Sequence, residues 1–436
     1  MRTLLITKTI LRCVVTPVTL VTVVSLLILA LAGCRGRVDL DLKPATVPSG
    51  WAARIGPLGP DAGVQGPAGR AVRGPARRAV RASGRREPLR MGVWIPHWHR
   101  ARGARRVRRH IRLFDSVSAF GFLIKEGGRI DDTLRHRPGD WRRLHAAARR
   151  RAVECLPTLV WARAADIHRL MISPAARRSH VAAIVDLAVK RGYRGVDLDY
   201  EGKVLATRAP FSRFLEDLSV ALHRHGKVLS CTVEARTSDA PPKGRRAGAV
   251  FPWANDLAVM GRVCDRVRIM AYDQWFADHG ATTWTGTTRQ PQAPNADLAW
   301  VDQVVRHFAR HVDATKVELG VPTYGWLFSA TGQPGAWAYE RISALSHTRL
   351  LRLVRRFGAR TSRTPGGEVS LRYKRRGVRR VGTVCDALCV RDRIRLADRL
   401  GLRGVVLFKI EGEEDPRLWT LLDQERARAR GRAGGQ

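Results

Sequence analysis

Residues 195–201 read Gly195-Val196-Asp197-Leu198-Asp199-Tyr200-Glu201. In an extended strand successive side chains point to opposite faces. Asp197, Asp199 and Glu201 therefore share one face, and Val196, Leu198 and Tyr200 share the other. A strand of a parallel sheet is covered on both sides, so the apolar set faces a helix layer and the three acids converge on an enclosed interior. Crowded carboxylates disfavour simultaneous ionisation, so the cluster holds at least one proton near neutral pH. A carboxylic acid kept protonated can protonate the leaving oxygen of a glycosidic bond. Carboxylates also bind divalent cations, but the other strand ends supply no obvious second acidic cluster.

Outward from this stretch the chain alternates short β-branched runs with helix-like segments. The runs lie near Gly92–Ile95, Ser116–Ile124, Val153–Val160, Gly195–Asp199, Val228–Val233, Arg266–Ala271, Lys316–Val321 and Gly404–Lys409. Pro174–Arg191, Pro210–His225 and Asp297–His311 carry apolar residues at helical spacing, the first two with Pro near the first turn. Eight such units predict an α/β fold, a (β/α)8 TIM barrel over residues 91–422. The gap before the last strand is too long for one helix, so a small α+β insertion is expected between strands 7 and 8, at about 338–384. Catalytic side chains in such barrels come from the C-terminal ends of the strands.

Asp197-Leu198-Asp199-Tyr200-Glu201 resembles the DxxDxDxE signature of glycoside hydrolase family 18, the chitinase-like barrels, with Arg194 in place of the first Asp. Met270-Ala271-Tyr272-Asp273 is similar to the sixth-strand MxYD element, and Gly320-Val321-Pro322-Thr323-Tyr324-Gly325 to the seventh-strand G-x-P-x-Y-G. The stretch from Gly404 to Lys409 fits the last strand, with Phe408 where the family usually has Trp. Thr158-Leu159-Val160-Trp161 replaces the SxGG of typical chitinases, and the overall resemblance is closest to the spore-germination, cortex-lytic branch. It implies a retaining, substrate-assisted glycosidase for a β-linked GlcNAc glycan, peptidoglycan or chitin-like, without cofactor or metal. Glu201 would be the general acid and base, Asp199 would orient the acetamido group, Asp197 would share protons with Asp199, and Tyr272 would bond the attacking carbonyl. Asp273, Trp94, Tyr324, Phe408, Trp161 and Met270 would contact substrate. Chitinase-like lectins keep the barrel without catalysis, so a glycan-binding surface protein is the alternative.

The N-terminus reads as an address. Arg2, Lys8 and Arg12 precede an apolar run from Cys13 to Ala32, and Leu31-Ala32-Gly33-Cys34 resembles a lipobox. Residues 1–33 are expected to be a lipoprotein signal peptide, with lipid on Cys34 and an exported, membrane-anchored product. Residues 34–90 read as a flexible basic tether rich in Gly and Pro, and 423–436 as a disordered tail. Of the seven Cys, Cys155, Cys231 and Cys264 read as buried small hydrophobes, while Cys385 and Cys389 are close enough for a local disulfide. The 436 residues carry a net charge of +40, but 68 of the 78 cations are Arg spread along the whole chain. That pattern fits a coding background better than a nucleic-acid stripe. The expected partners are a GlcNAc-containing polysaccharide and, through the lipid, a membrane; nucleic acid is not among them. A monomer is expected.

Overall fold

The computed structural model describes residues 87–136, 138–241, 251–279 and 283–434. The eight runs become β1 (Arg90–Ile95), β2 (Ser116–Ile124), β3 (Thr158–Trp161), β4 (Gly195–Tyr200), β5 (Val228–Glu234), β6 (Arg266–Met270), β7 (Val317–Pro322) and β8 (Gly404–Phe408). Each pairs in parallel with the next, and β8 pairs with β1 through Met91 and Val405, which closes the cylinder and leaves no sheet edge. The fold is the expected (β/α)8 barrel.

Register places the acids. Asp197 lies between Thr158 of β3 and Ser230 of β5, and Asp199 between Val160 and Thr232. On the opposite face Tyr200 stacks on Phe214 of the helix Arg208–His223, and its hydroxyl meets His180 Nε2 of the helix Pro174–Lys190 at 2.7 Å. The sorting of acids inward and apolar residues outward therefore holds along β4. Surrounding helices start where the sequence offers a cap. Ser173 accepts the Ala176 N–H with Pro174 at the first helical position, and Asp256, Asp297 and Asp386 cap three later helices.

The insertion is larger than expected. It begins at Tyr324, directly after β7, and not at Ala338. Strands Arg360–Arg363, Val369–Arg375, Val378–Val384, Tyr324–Gln333 and Ala336–Ser346 form an antiparallel sheet in that order, joined at its far edge by Thr283–Gly286 from the β6–β7 connection. The helix His347–Phe357 covers one face over a core of Leu327, Leu345, Leu350, Val369, Leu371 and Val384. The first hairpin turns at Pro334-Gly335, with Gly335 at φ +86°.

The C-terminal segment is a second correction. Residues 423–434 belong to a helix, Leu418–Gly434, that completes the outer ring. Its charges are not solvated at random. Arg426 forks onto both Asp115 oxygens at 2.9 Å, and Glu425 accepts from Arg395 and Arg428. Cys231 and Cys264 are disulfide-bonded, as are Cys385 and Cys389, which among the described residues leaves Cys155 free and buried. The Cys231–Cys264 bond corrects the reading of both as small hydrophobes: Cys231 faces outward from β5 and Cys264 ends the helix that leads, through Asp265, into β6. The signal segment 1–33, Cys34 and residues 35–86 of the tether lie outside the described residues. Among the described residues no helix is long and apolar enough to cross a membrane.

Candidate active site

Asp197 sits deepest. Its Oδ1 accepts from Ser230 Oγ (2.7 Å) and Thr232 Oγ1 (3.0 Å), and its Oδ2 from Trp94 Nε1 and Thr158 Oγ1, both at 3.0 Å. The guanidinium of Arg268 lies 3.3 Å from Oδ2. With both oxygens occupied by donors, sharing a proton with Asp199 would require one of these donors to turn away. Arg268 is fully buried; burial opposes its charge, but Asp197 and Glu318 outweigh that and push its pKa up. Its Nε donates to Glu318 at 2.8 Å, and Ser118 and Ser116 take further N–H bonds. An ion network thus fills the barrel below the acids.

Asp199 differs from Asp197. It is buried, and its Oδ1 has no hydrogen-bond partner among the described residues. Desolvation, reinforced by Glu201, Asp197 and Glu234 against Lys203, drives its pKa well above the usual carboxylate range and favours the protonated form. Glu201, at the open end of β4, is partly exposed. Burial and the neighbouring charge of Glu234, against an opposing contribution from Lys203, raise its pKa to about 8.

β6 and β7 deliver the aromatic side. Tyr272 stacks on Phe408 at 5.3 Å with the rings 8° from parallel. Gly320 makes this possible, because a Cβ there would lie 3.1 Å from the Tyr272 ring and crowd the Ile269 carbonyl. Asp273 Oδ1 accepts from Tyr324 Oη (2.8 Å) and Trp326 Nε1 (2.7 Å), and its N–H donates to Asn295 Oδ1. Burial raises the Asp273 pKa in spite of those two donors.

Three comparisons bear on this arrangement. The profile of glycosyl hydrolases family 18 matches residues 161–409, more than half of the chain. The chain belongs to glycosyl hydrolases family 18. YdhD of Bacillus subtilis (strain 168), provisionally named a sporulation-specific glycosylase, is 31% identical over 195 residues, 44% of this chain and 40% of that protein. A cortical fragment-lytic enzyme of Bacillus anthracis is 25% identical over 262 residues, 59% of this chain and 56% of that one. The chain therefore spans only about half the length of these relatives or less. A chitinase from Chromobacterium violaceum ATCC 12472 superposes with a TM-score of 0.63 at 20% identity, covering 78% of this chain and 99% of that one, which supports the fold.

Within this family-18 barrel, Asp197, Asp199, Glu201, Tyr272, Asp273, Tyr324 and Phe408 come together as expected. Met270 closes β6 on the inward face, half-buried and in register with Glu234. Two expectations change. Trp161 is not a sugar platform: it points outward, buried edge-on against Tyr200 and His180, because alternation along β3 turns Thr158 inward and Trp161 away. Trp94 is fully buried, bonded to Asp197 and edge-on to Phe408, so it supports the floor from below.

Sequence reasoning also overlooked an acid. Glu234 ends β5, buried, with Oε1 accepting the Gly202 N–H (3.0 Å) and Oε2 accepting from Asn255 Nδ2 (2.7 Å). Lys203, buried beside it, has its pKa lowered by desolvation against the pull of Glu234, Glu201 and Asp199. The reading that the other strand ends hold no second acidic cluster stands, but it passed over this single acid. Alternation along Ser230-x-Thr232-x-Glu234 turns Glu234 inward by the rule that exposed the β4 acids. Arg266-Val267-Arg268-Ile269 carries the same signal for the interior arginine. Asn255 follows a short 3₁₀ turn and has no comparable signature.

One set of side chains outside the acid cluster has ligand-like spacing among the described residues: Asp239, His307 and His311. Arg310 donates to His307 Nδ1 at 2.5 Å, which puts the proton of the neutral ring on Nε2, the atom facing Asp239, and a protonated nitrogen cannot ligate.

Proposed function

We propose that the protein is a retaining glycosidase that hydrolyses a β-linked GlcNAc-containing glycan by substrate-assisted catalysis, with Glu201 as general acid and base. One observation carries the reading. Glu201 stands at the open end of β4 with its pKa raised to about 8, so it enters the reaction protonated at neutral pH. Beside it, Asp199 keeps an oxygen without a partner among the described residues, and burial together with the neighbouring carboxylates keeps the Tyr272 hydroxyl protonated.

In the first step Glu201 gives its proton to the glycosidic oxygen as that bond breaks. The 2-acetamido carbonyl of the substrate forms the new bond to the anomeric carbon, giving an oxazolinium-type intermediate. Tyr272 donates its hydroxyl to the attacking carbonyl oxygen, and Asp199 accepts the acetamido N–H. In the second step the Glu201 carboxylate takes a proton from water, whose oxygen opens the ring from the face the leaving group occupied. Configuration is retained, and Glu201 is again protonated. Phe408, flat against Tyr272, supplies an apolar floor for the reacting sugar.

The cortical fragment-lytic relative supports peptidoglycan over chitin as substrate. Two disulfides fit an oxidising compartment. They accord with an exported lipoprotein held through Cys34. The test uses the protein lacking residues 1–86, with and without Glu201→Gln, on peptidoglycan and on GlcNAc oligomers, with products read by mass spectrometry. The expected result is cleavage by the wild type alone, with a loss of at least about 10³-fold in the variant. Binding without cleavage by either form would replace the hydrolase with a glycan-binding protein.

A further inference from the structure

The insertion is far poorer in acids than the barrel, where residues 87–323 and 385–436 hold 51 Lys and Arg against 33 Asp and Glu. Residues 324–384 hold thirteen Lys and Arg against two acids, Glu340 and Glu368, and Glu368 is fully buried. Elsewhere many surface arginines meet acids: Arg112 meets Asp423, Arg191 meets Asp132, and Arg262 meets Glu216. Even on the insertion's inner margin, Arg352 reaches Glu413 and Arg363 reaches Asp386. Along its outer edge that pairing stops. Arg355, Arg356, Arg360, Arg372, Lys374, Arg375, Arg376 and Arg379 have no acidic partner among the described residues.

Their placement sharpens the point. Arg360 lies directly opposite Arg372, and Lys374 directly opposite Arg379, in the antiparallel register. Like charges facing each other across strands are destabilising. Arg356 and Arg375 both lie over the single ring of Phe357, at 5.3 and 5.9 Å, and that ring is stacked on Tyr373. A coding bias towards Arg explains the residue type. It does not explain why the acids that neutralise arginine elsewhere are missing from one sheet edge.

The edge is also joined through the intervening strands of one sheet to the strand that holds Asp273. Trp326, which bonds Asp273, shares its sheet face with Phe328 and Ala330. The register rows from these residues run outward through Val381 to Arg372 and Arg360, and through Arg379 to Lys374. From Tyr324 to Ala330 the strand covers about 20 Å. A sugar at the reaction centre cannot touch these cations, whereas a polymer extending from it can.

We infer that the outer edge of the insertion is a docking surface for an anionic glycan strand, one whose sugars bear carboxylates, continuous with the chain held in the cleft. Part of this inference, the continuity, rests on the proposed hydrolase reading; the docking itself does not. The cations set apart by mutual repulsion are brought into balance when carboxylates lie across them, so the surface selects charged polymer over neutral chitin-like chains.

The test compares the wild type with the fourfold variant Arg372→Gln, Lys374→Gln, Arg375→Gln, Arg376→Gln. Co-sedimentation with purified peptidoglycan is measured from low to physiological salt, beside duplex DNA and anionic phospholipid vesicles, and turnover is measured on a neutral GlcNAc tetramer. Wild-type binding to peptidoglycan should fall steeply with salt, and the variant should bind on the order of tenfold more weakly at low salt. Tetramer turnover should be unchanged and the melting temperature should not fall, since the repulsion relieved at Arg372 and Lys374 offsets the loss of Arg375 over Phe357. Equal binding by both forms, or a wild-type preference for DNA or vesicles over peptidoglycan, overturns the inference. Salt-sensitive binding lost in the variant supports the docking surface even in a protein that cleaves nothing, and in that case only the hydrolase reading fails.

Discussion

At the scale of single residues, the proton on Glu201 is held first by burial and then tuned by two neighbours of opposite charge. Glu234 favours the protonated acid and Lys203 disfavours it. The alkaline limb of kcat/KM should therefore fall near pH 8 in the wild type. It should move to lower pH in Glu234→Gln and to higher pH in Lys203→Met. A pH–rate series on one substrate checks both, and an unmoved limb in Glu234→Gln would remove Glu234 from the account. Stability follows the same proton. A carboxyl whose pKa is raised on folding binds its proton more tightly in the folded chain, so that stabilisation is complete below about 4.5, the ordinary value, and is lost as pH rises through about 8. Glu201→Gln should consequently lose less melting temperature than the wild type between pH 5 and 8. Much of this was legible in sequence, because period-two alternation alone turns Asp197, Asp199 and Glu201 inward. The deciding charge balance was not, since Lys203 and Asn255 approach through loop geometry that no short pattern encodes.

At the scale of elements, the site depends on a strand outside the barrel. Tyr324 and Trp326 hold Asp273 from the first residues of Tyr324–Gln333, and Gly325 between them lies so close to Val378–Val384 that a Cβ would collide with the Thr383 carbonyl. Gly325→Ala should push the two strands apart and release Asp273. We expect kcat/KM to fall by about tenfold or more, in line with the cost of misplacing groups by an ångström. Faster proteolysis within 324–384 and an intact barrel should accompany that loss, as judged by limited digestion and circular dichroism. The sequence placed this insertion between the right strands but started it at Ala338. Tyr324–Gln333 is rich in Gly, Thr and aromatics and follows β7 without a break, so it reads as an extension of that strand. Pro334-Gly335 was the available turn signal.

For the whole molecule, a closed barrel needs each outer helix, and the last one is built from residues that look disordered. Parallel strands buried on both faces leave apolar runs that stand out in any composition, which is why the eight strands were readable. Outer helices in an arginine-rich chain do not stand out in the same way, because their cations appear solvated until their acidic partners are located in space. Leu418–Gly434 shows the consequence. Leu421 and Leu422 are buried, Trp419 stacks on His110 at 4.1 Å, and Arg426 clamps Asp115 at the start of β2. Glu425, buried, joins this helix to Ala387–Arg399 through Arg395. Truncation after Leu422 keeps the apolar contacts of Leu418, Trp419, Leu421 and Leu422, loses buried Ala429, and removes residues 423–436, the segment whose composition reads as a solvated tail. A solvated tail would leave the melting temperature unchanged. The clamp instead predicts a fall of at least about 5 °C, since partly buried forked pairs are lost together and β1, β2 and β8 lose their cover at one end. Arg426→Gln in the full chain should reproduce part of the fall, whereas Arg430→Gln, which makes no such pair, should not.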